Sequence, residues 1–255
     1  MNIEASVDRT YRLIKENVPH SIQIDSFEVV RQVEEYRQFW KPDEINVILL
    51  AESHVFTDKQ EYNILCNRFI LNKIIPDYPL HFVRFVYCLG YGENGLLERE
   101  VENNEMGTWQ FWKIFSSCVA ENERNLGFQK VLKTETPFLL QRLRNKVNVL
   151  RKMQERGIWL LDASIVGLYR SGIKNHKTVK TIIEICWQNH LVNMIKESEP
   201  KHIIVIGKRV GNILDSELRK IRIPFTTVLQ PQARVNSEEQ LENYKKYQRI
   251  CSRYC

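Results

Sequence analysis

The sequence predicts an α/β protein: a three-layer α/β/α sandwich around a central, mainly parallel four-stranded sheet. Three observations lead there. Apolar runs of strand length alternate with longer stretches of helical periodicity, the pattern of a parallel sheet covered on both faces. Most of these runs are continuously apolar, as expected for strands buried on both sides. The chain has 255 residues, 43% hydrophobic and 27% charged, with only 10 glycines and 8 prolines. That suits one large globular domain with an N-terminal extension.

The elements follow in order. A short helix is expected around Tyr11 to Lys15. Asp25 and Glu28 stand at capping-box spacing ahead of a second helix, with Phe27, Val30, Val33 and Trp40 on its apolar side and Pro42 ending it. Residues 1–40 are thus a helical extension and 41–255 the main α/β domain. Asn46-Val-Ile-Leu-Leu-Ala51 is a buried strand. Asp58 and Glu61 cap a helix containing Tyr62, Leu65, Cys66, Phe69 and Ile70. Phe82 to Leu89 is strand-like and opens into the turn-rich Gly90-Tyr-Gly-Glu-Asn-Gly95.

Thr108 caps an aromatic helix carrying Trp109, Phe111, Trp112 and Phe115, read as core rather than as a stacking platform. Thr136-Pro137 starts another helix, with proline at its first helical position, and Gly157 ends it. Ile158-Trp-Leu-Leu-Asp162 is a strand. A long helix then runs to Ser198-Glu-Pro200. His202 to Ile206 and Phe225 to Leu229 are the remaining strands, and Ser237 with Gln240 caps the last helix. Ligands of parallel sheets bind at the carboxyl ends of the strands. Glu52, Asp162, Gly207 and Gln230 all fall there.

Composition narrows the function classes. The net charge is +6, compatible with a polyanionic partner without requiring one. The six cysteines include no C-x-x-C pair, so no zinc or iron–sulfur spacing is present and a reducing compartment is expected. The opening Met-Asn-Ile-Glu-Ala-Ser is too polar for a signal peptide, and no apolar run approaches the roughly 18 residues of a membrane helix. The expectation is a cytoplasmic protein with no membrane contact, cofactor or metal; the sequence leaves oligomeric state open.

Four strand-end segments carry a family resemblance. They are Leu50-Ala-Glu-Ser-His-Val-Phe56, Leu160-Leu-Asp-Ala-Ser164, Val205-Ile-Gly-Lys-Arg209 and Gln230-Pro-Gln-Ala-Arg234. In order and spacing they resemble the uracil-DNA glycosylase superfamily, over roughly residues 45 to 250. The segments stand where that family has G-Q-D-P-Y-H or G-E-A-P-G, then L-L-N, then a glycine opening a helix, then H-P-S-P-L. The resemblance implies a uracil-DNA-glycosylase-like fold, a DNA partner, and base flipping followed by hydrolysis of an N-glycosidic bond. The departures are as informative. Ser53 stands at the family's Asp or Asn position, Gln230 at its histidine, and Asp162 at its base-reading asparagine.

The resemblance assigns roles residue by residue. Glu52 is the carboxylate that positions water or stabilises charge on the sugar, and His54 supplies a proton or binds phosphate. Asp162 reads the base edge. An ionised carboxylate only accepts hydrogen bonds, which suits the N4 amino group of cytosine and opposes uracil O4. Tyr87 stacks on the base, Ser53 and Val55 border it, and Val55 leaves room for a 5-substituent where an aromatic ring blocks one elsewhere. Gln230 bonds the base carbonyl or phosphate. Lys208, Arg209, Gln232, Arg234, Arg170 and Lys174 contact DNA. The expectation is a glycosylase for a modified cytosine, such as glucosylated hydroxymethylcytosine of phage DNA, in antiviral defence. Open alternatives are an inactive DNA- or protein-binding module, a repair glycosylase for uracil or other deaminated bases, and an unrelated enzyme using Glu52 and His54 as acid and base.

Overall fold

The computed structural model describes residues 2–19, 21–105, 108–173 and 175–255. Four parallel strands form the centre: β1 Val47–Ala51, β2 Ile158–Asp162, β3 His202–Ile206 and β4 Phe225–Val228, in the spatial order β2-β1-β3-β4. Alternate residues of β1 enter opposite layers, as strand geometry requires. Val47, Leu49 and Ala51 pack into one core, and Ile48 and Leu50 into the other. Helices cover both faces, so the three-layer α/β/α expectation holds.

One layer contains α5 Thr108–Val119, α6 Leu139–Glu155 and α10 Ser237–Tyr254. The other contains α1 Ile3–Asn17, α7 His176–Cys186, α8 Val192–Ser198 and α9 Lys208–Ile221. The N-terminal helices are integral to both. In α2, Phe27–Phe39, Val30 faces the second core while Val29, Val33 and Tyr36 enter the first. Residues 1–40 are therefore built into the domain as well as preceding it. The long helix expected to reach Ser198 is divided by a π-helical turn at Trp187–Leu191, where His190 Nδ1 meets Ser6 Oγ at 2.8 Å.

Several local expectations shift for identifiable reasons. Phe82 to Leu89 is not a strand. Its backbone folds through turns, Phe85 N–H to Val83 O and Cys88 N–H to Phe85 O, and its apolar residues are buried without a ladder. A short apolar run does not by itself distinguish a strand from a buried turn series. The helix expected through Tyr62 and Ile70 is two short ones. The Asp58–Glu61 capping box is present, but the helix it starts, α3, spans only Lys59–Tyr62, and α4, Arg68–Asn72, is capped anew by Asn67. Between them Leu65 and Cys66 form bridges to His81 and Leu97. Thr136 does not cap α6; its hydroxyl donates to Gln129 O, and Phe138 precedes the helix. Asn236 rather than Ser237 caps α10.

The most consequential shift is at Asp25. Ser26 is the N-cap of α2. Asp25 turns inward, where Oδ1 accepts the Thr57 N–H at 2.8 Å and Oδ2 the Gly167 N–H at 2.5 Å. Glycine is required at 167 because a Cβ there would lie 2.3 Å from the Phe56 nitrogen.

Candidate functional site

The carboxyl ends of the strands open into a cavity of about 390 Å³. That is within the range of small-ligand sites, roughly 300–1,000 Å³. The chain leaves β1 toward β2 but leaves β3 toward β4, so the sheet's topological switch point lies between β1 and β3. Glu52 follows β1, and Gly207, with φ +101°, carries the chain from β3 directly into α9. The turn places Arg209 Nε 2.8 Å from Glu52 Oε1. Glu52 Oε2 accepts a 2.5 Å hydrogen bond from the Tyr169 hydroxyl. In this nearly buried carboxylate Oε2 is thus fixed by a hydrogen bond, while Oε1 has a close ionic contact rather than a directed bond. Burial first, and then the Glu52 charge, hold the Tyr169 hydroxyl protonated by raising its pKa.

Asp162 ends β2 beside Ala51. Its Oδ2 accepts from Arg37 Nη2 at 3.0 Å and lies 3.7 Å from His54 Nδ1. Among the described residues no donor reaches its Oδ1. Arg37 also pairs with Glu34, and its guanidinium lies 5.1 Å above the Phe85 ring. His54 Nε2 lies 3.3 Å from Asp25 Oδ2. Neither imidazole nitrogen has a well-aligned hydrogen bond, so these are close ionic contacts rather than directed bonds. Three carboxylates, Asp25, Asp162 and Glu34, therefore alternate with the cations His54 and Arg37.

Such a buried row is stable only if the charges compensate one another. Burial drives the His54 pKa down, but Asp25 and Asp162 outweigh it and raise the pKa to about 9. Burial also opposes the Glu34 charge, and Arg37, His190 and Gln38 together more than offset it, holding that carboxyl below the usual range.

The expected residues separate into distinct groups. Glu52, Ser53, His54, Val55, Asp162, Arg170, Gln230 and Gln232 all line the cavity, and Arg209 reaches Glu52. The Ser53 hydroxyl is already engaged, donating to His54 O and accepting from Leu168 N–H, so its proton is not available to a base. The His54 side chain is fully shielded with both nitrogens turned to carboxylates, a geometry for a bridging cation rather than a proton donor to substrate. Tyr87 does not line the cavity. It is 1% exposed, and its hydroxyl accepts from the Leu160 N–H at 3.0 Å, satisfying the open side of edge strand β2. Phe85 supplies the ring at the cavity wall instead. Lys208 and Arg234 are exposed and outside the cavity. Lys174 lies outside the described residues.

Other participants were not expected from sequence: Asp25, Arg37, Tyr169, Gln110 and Arg84; Tyr91, in the glycine-rich loop that the sequence places beside the pocket, also lines the cavity. Arg84 is buried and bonds both Glu61 oxygens as well as the carbonyls of Glu102 and Asn103. Burial pushes the Tyr91 hydroxyl up to about 12, so it stays protonated. Among the described residues no cluster of His, Cys, Asp and Glu is arranged to hold a metal, and no helix is long and apolar enough to cross a membrane. No protein-family model matches the chain, and a search of curated proteins finds no matching relative.

Proposed function

We propose that the protein is a monofunctional DNA glycosylase that receives a flipped, modified cytosine-type base. The observation that carries this reading is the pairing of two carboxylates in one cavity: Glu52, oriented by Tyr169 and Arg209, and Asp162, backed by Arg37 and His54. In this reaction the C1′–N bond breaks and its electron pair leaves with the base. Glu52 stabilises the positive charge on the sugar and orients the water that adds to C1′, and the proton this water loses ends on the departing base anion. Arg37 and His54 stand behind the Asp162 Oδ2, which leaves Oδ1 to accept from an exocyclic amino group. Val55 lines the cavity while the adjacent Phe56 does not, which supports space for a 5-substituent. Gln230 contributes a neutral amide where the resembling family has a histidine. Phage DNA bearing glucosylated hydroxymethylcytosine fits this chemistry, and a role in antiviral defence follows from it.

One observation favours a second reading, a nucleic-acid-binding module without catalysis: both oxygens of Glu52 already have partners. Oligonucleotides carrying glucosylated hydroxymethylcytosine, hydroxymethylcytosine, cytosine, uracil or hypoxanthine separate the two. Alkali-labile abasic sites on a modified-cytosine substrate support the glycosylase. Binding without abasic sites on any substrate supports the module.

A further inference from the structure

A groove of about 500 Å³ adjoins the cavity and shares Gln110, Pro231 and Gln232 with it. Lys113 lines this groove one turn of α5 beyond Gln110. Its ammonium lies 4.8 Å from the Trp109 ring centroid, 5.3 Å from Phe128 and 5.9 Å from Tyr244. Among the described residues no carboxylate pairs with it. The described groove lining contains no acidic side chain. Trp109 is 48% exposed, so the start of the aromatic helix is not all core: Trp112 and Phe115 are buried and Trp109 faces outward.

A cation held by three rings and left without a counterion is suited to a polyanion. Burial draws its pKa down, and an incoming phosphate would oppose that effect. The step from Gln110 to Lys113 is about 4.5 Å along the helix. That is comparable with the spacing of successive phosphates, about 3.4 Å per nucleotide in a stacked strand and more beside a flipped base.

We propose that this groove is a nucleic-acid strand track, in which Lys113 binds the backbone phosphate flanking the nucleotide in the cavity and Trp109 offers a face to a neighbouring base. The proposal rests on the nucleic-acid reading of the cavity but not on base excision.

The test is the affinity of the full chain for an unmodified single-stranded oligonucleotide, read by fluorescence anisotropy over a salt series. Lys113→Gln is expected to flatten the slope of log affinity against log salt by about 0.7, which is about a fivefold loss near 0.1 M salt. Lys113→Arg keeps the charge and is expected to restore the slope. Trp109→Ala is expected to weaken binding at every salt concentration without changing the slope. Thermal unfolding of each variant identifies a loss of fold. The proposal is overturned if the wild type binds no oligonucleotide, or if Lys113→Gln and Lys113→Arg give the wild-type slope. Lys113-dependent binding without excision refutes the glycosylase reading and leaves the track standing. Excision with a Lys113-independent slope does the reverse.

Discussion

His54 Nε2 lies 3.3 Å from Asp25 Oδ2, and neither side chain is exposed to solvent. The contact joins the N-terminal segment to the loop after the first strand. It also makes the site's charge balance depend on a residue outside the α/β core.

Stability should therefore depend on pH through His54. Its pKa in the fold, about 9, is raised above the ordinary value of 6.5. Below about pH 6.5 both folded and unfolded chains hold the proton, and the stabilisation is complete. Between pH 6.5 and 9 only the fold retains it, so stability falls as pH rises, by on the order of 3 kcal/mol at most. Urea denaturation from pH 6 to 9.5 should show this fall in the wild type and lose most of it in His54→Asn. Equal slopes in the two proteins would mean that His54 is not the buried cation.

Arg37→Met removes the guanidinium between Glu34 and Asp162. Breaking a buried pair in this way costs about 3–5 kcal/mol, because the remaining carboxylates keep their desolvation without a partner. Chemical denaturation measures the loss. A change under 1 kcal/mol would show that the row of charges is open to water.

Tyr87→Phe distinguishes a packing role from base stacking. The substitution leaves the Leu160 N–H unpaired at the edge of the sheet and should destabilise the fold by about 1–3 kcal/mol. The preference among substrate bases should not change. A change in base preference without loss of stability would return Tyr87 to the binding site.

Glu52→Gln keeps the shape of the side chain and removes its charge. Excision should fall by about 10²–10⁴-fold, while oligonucleotide affinity stays near the wild-type value. Single-turnover rates on a modified-cytosine duplex, with affinity measured in parallel, provide the check. Undiminished excision would exclude Glu52 from the chemistry.

The sheet was legible in the sequence because three of its strands are short, buried, mostly apolar runs and all four lead into a polar or glycine residue at a loop. The same rule misread Phe82 to Leu89, where burial without pairing produces an identical pattern. The place of Glu52 and Asp162 in the cavity was legible because the carboxyl ends of parallel strands converge on such a crevice. Arg37 was not, because it pairs with Asp162 across 125 residues and lies on a helix whose pattern resembles any amphipathic helix. Asp25 was visible but misassigned. Capping-box spacing fits Asp25 and Glu28, and only the inward turn at Ser26 frees the carboxylate for the site. Lys113 was hidden among aromatic residues that periodicity assigned to the core.

In the proposed reading substrate choice turns on Asp162, and its replacement by Asn gives the most direct measurement. Single-turnover excision is compared on duplexes that differ only in carrying a 5-modified cytosine or the matching 5-modified uracil, with thermal unfolding confirming that the variant is folded. A glycosylase that reads cytosine through this carboxylate should favour the cytosine substrate in the wild type, and Asp162→Asn should shift the ratio toward uracil by about 10–100-fold, the worth of one well-placed base contact. An unchanged ratio in a folded Asp162→Asn protein, or no excision of either base by the wild type, contradicts it.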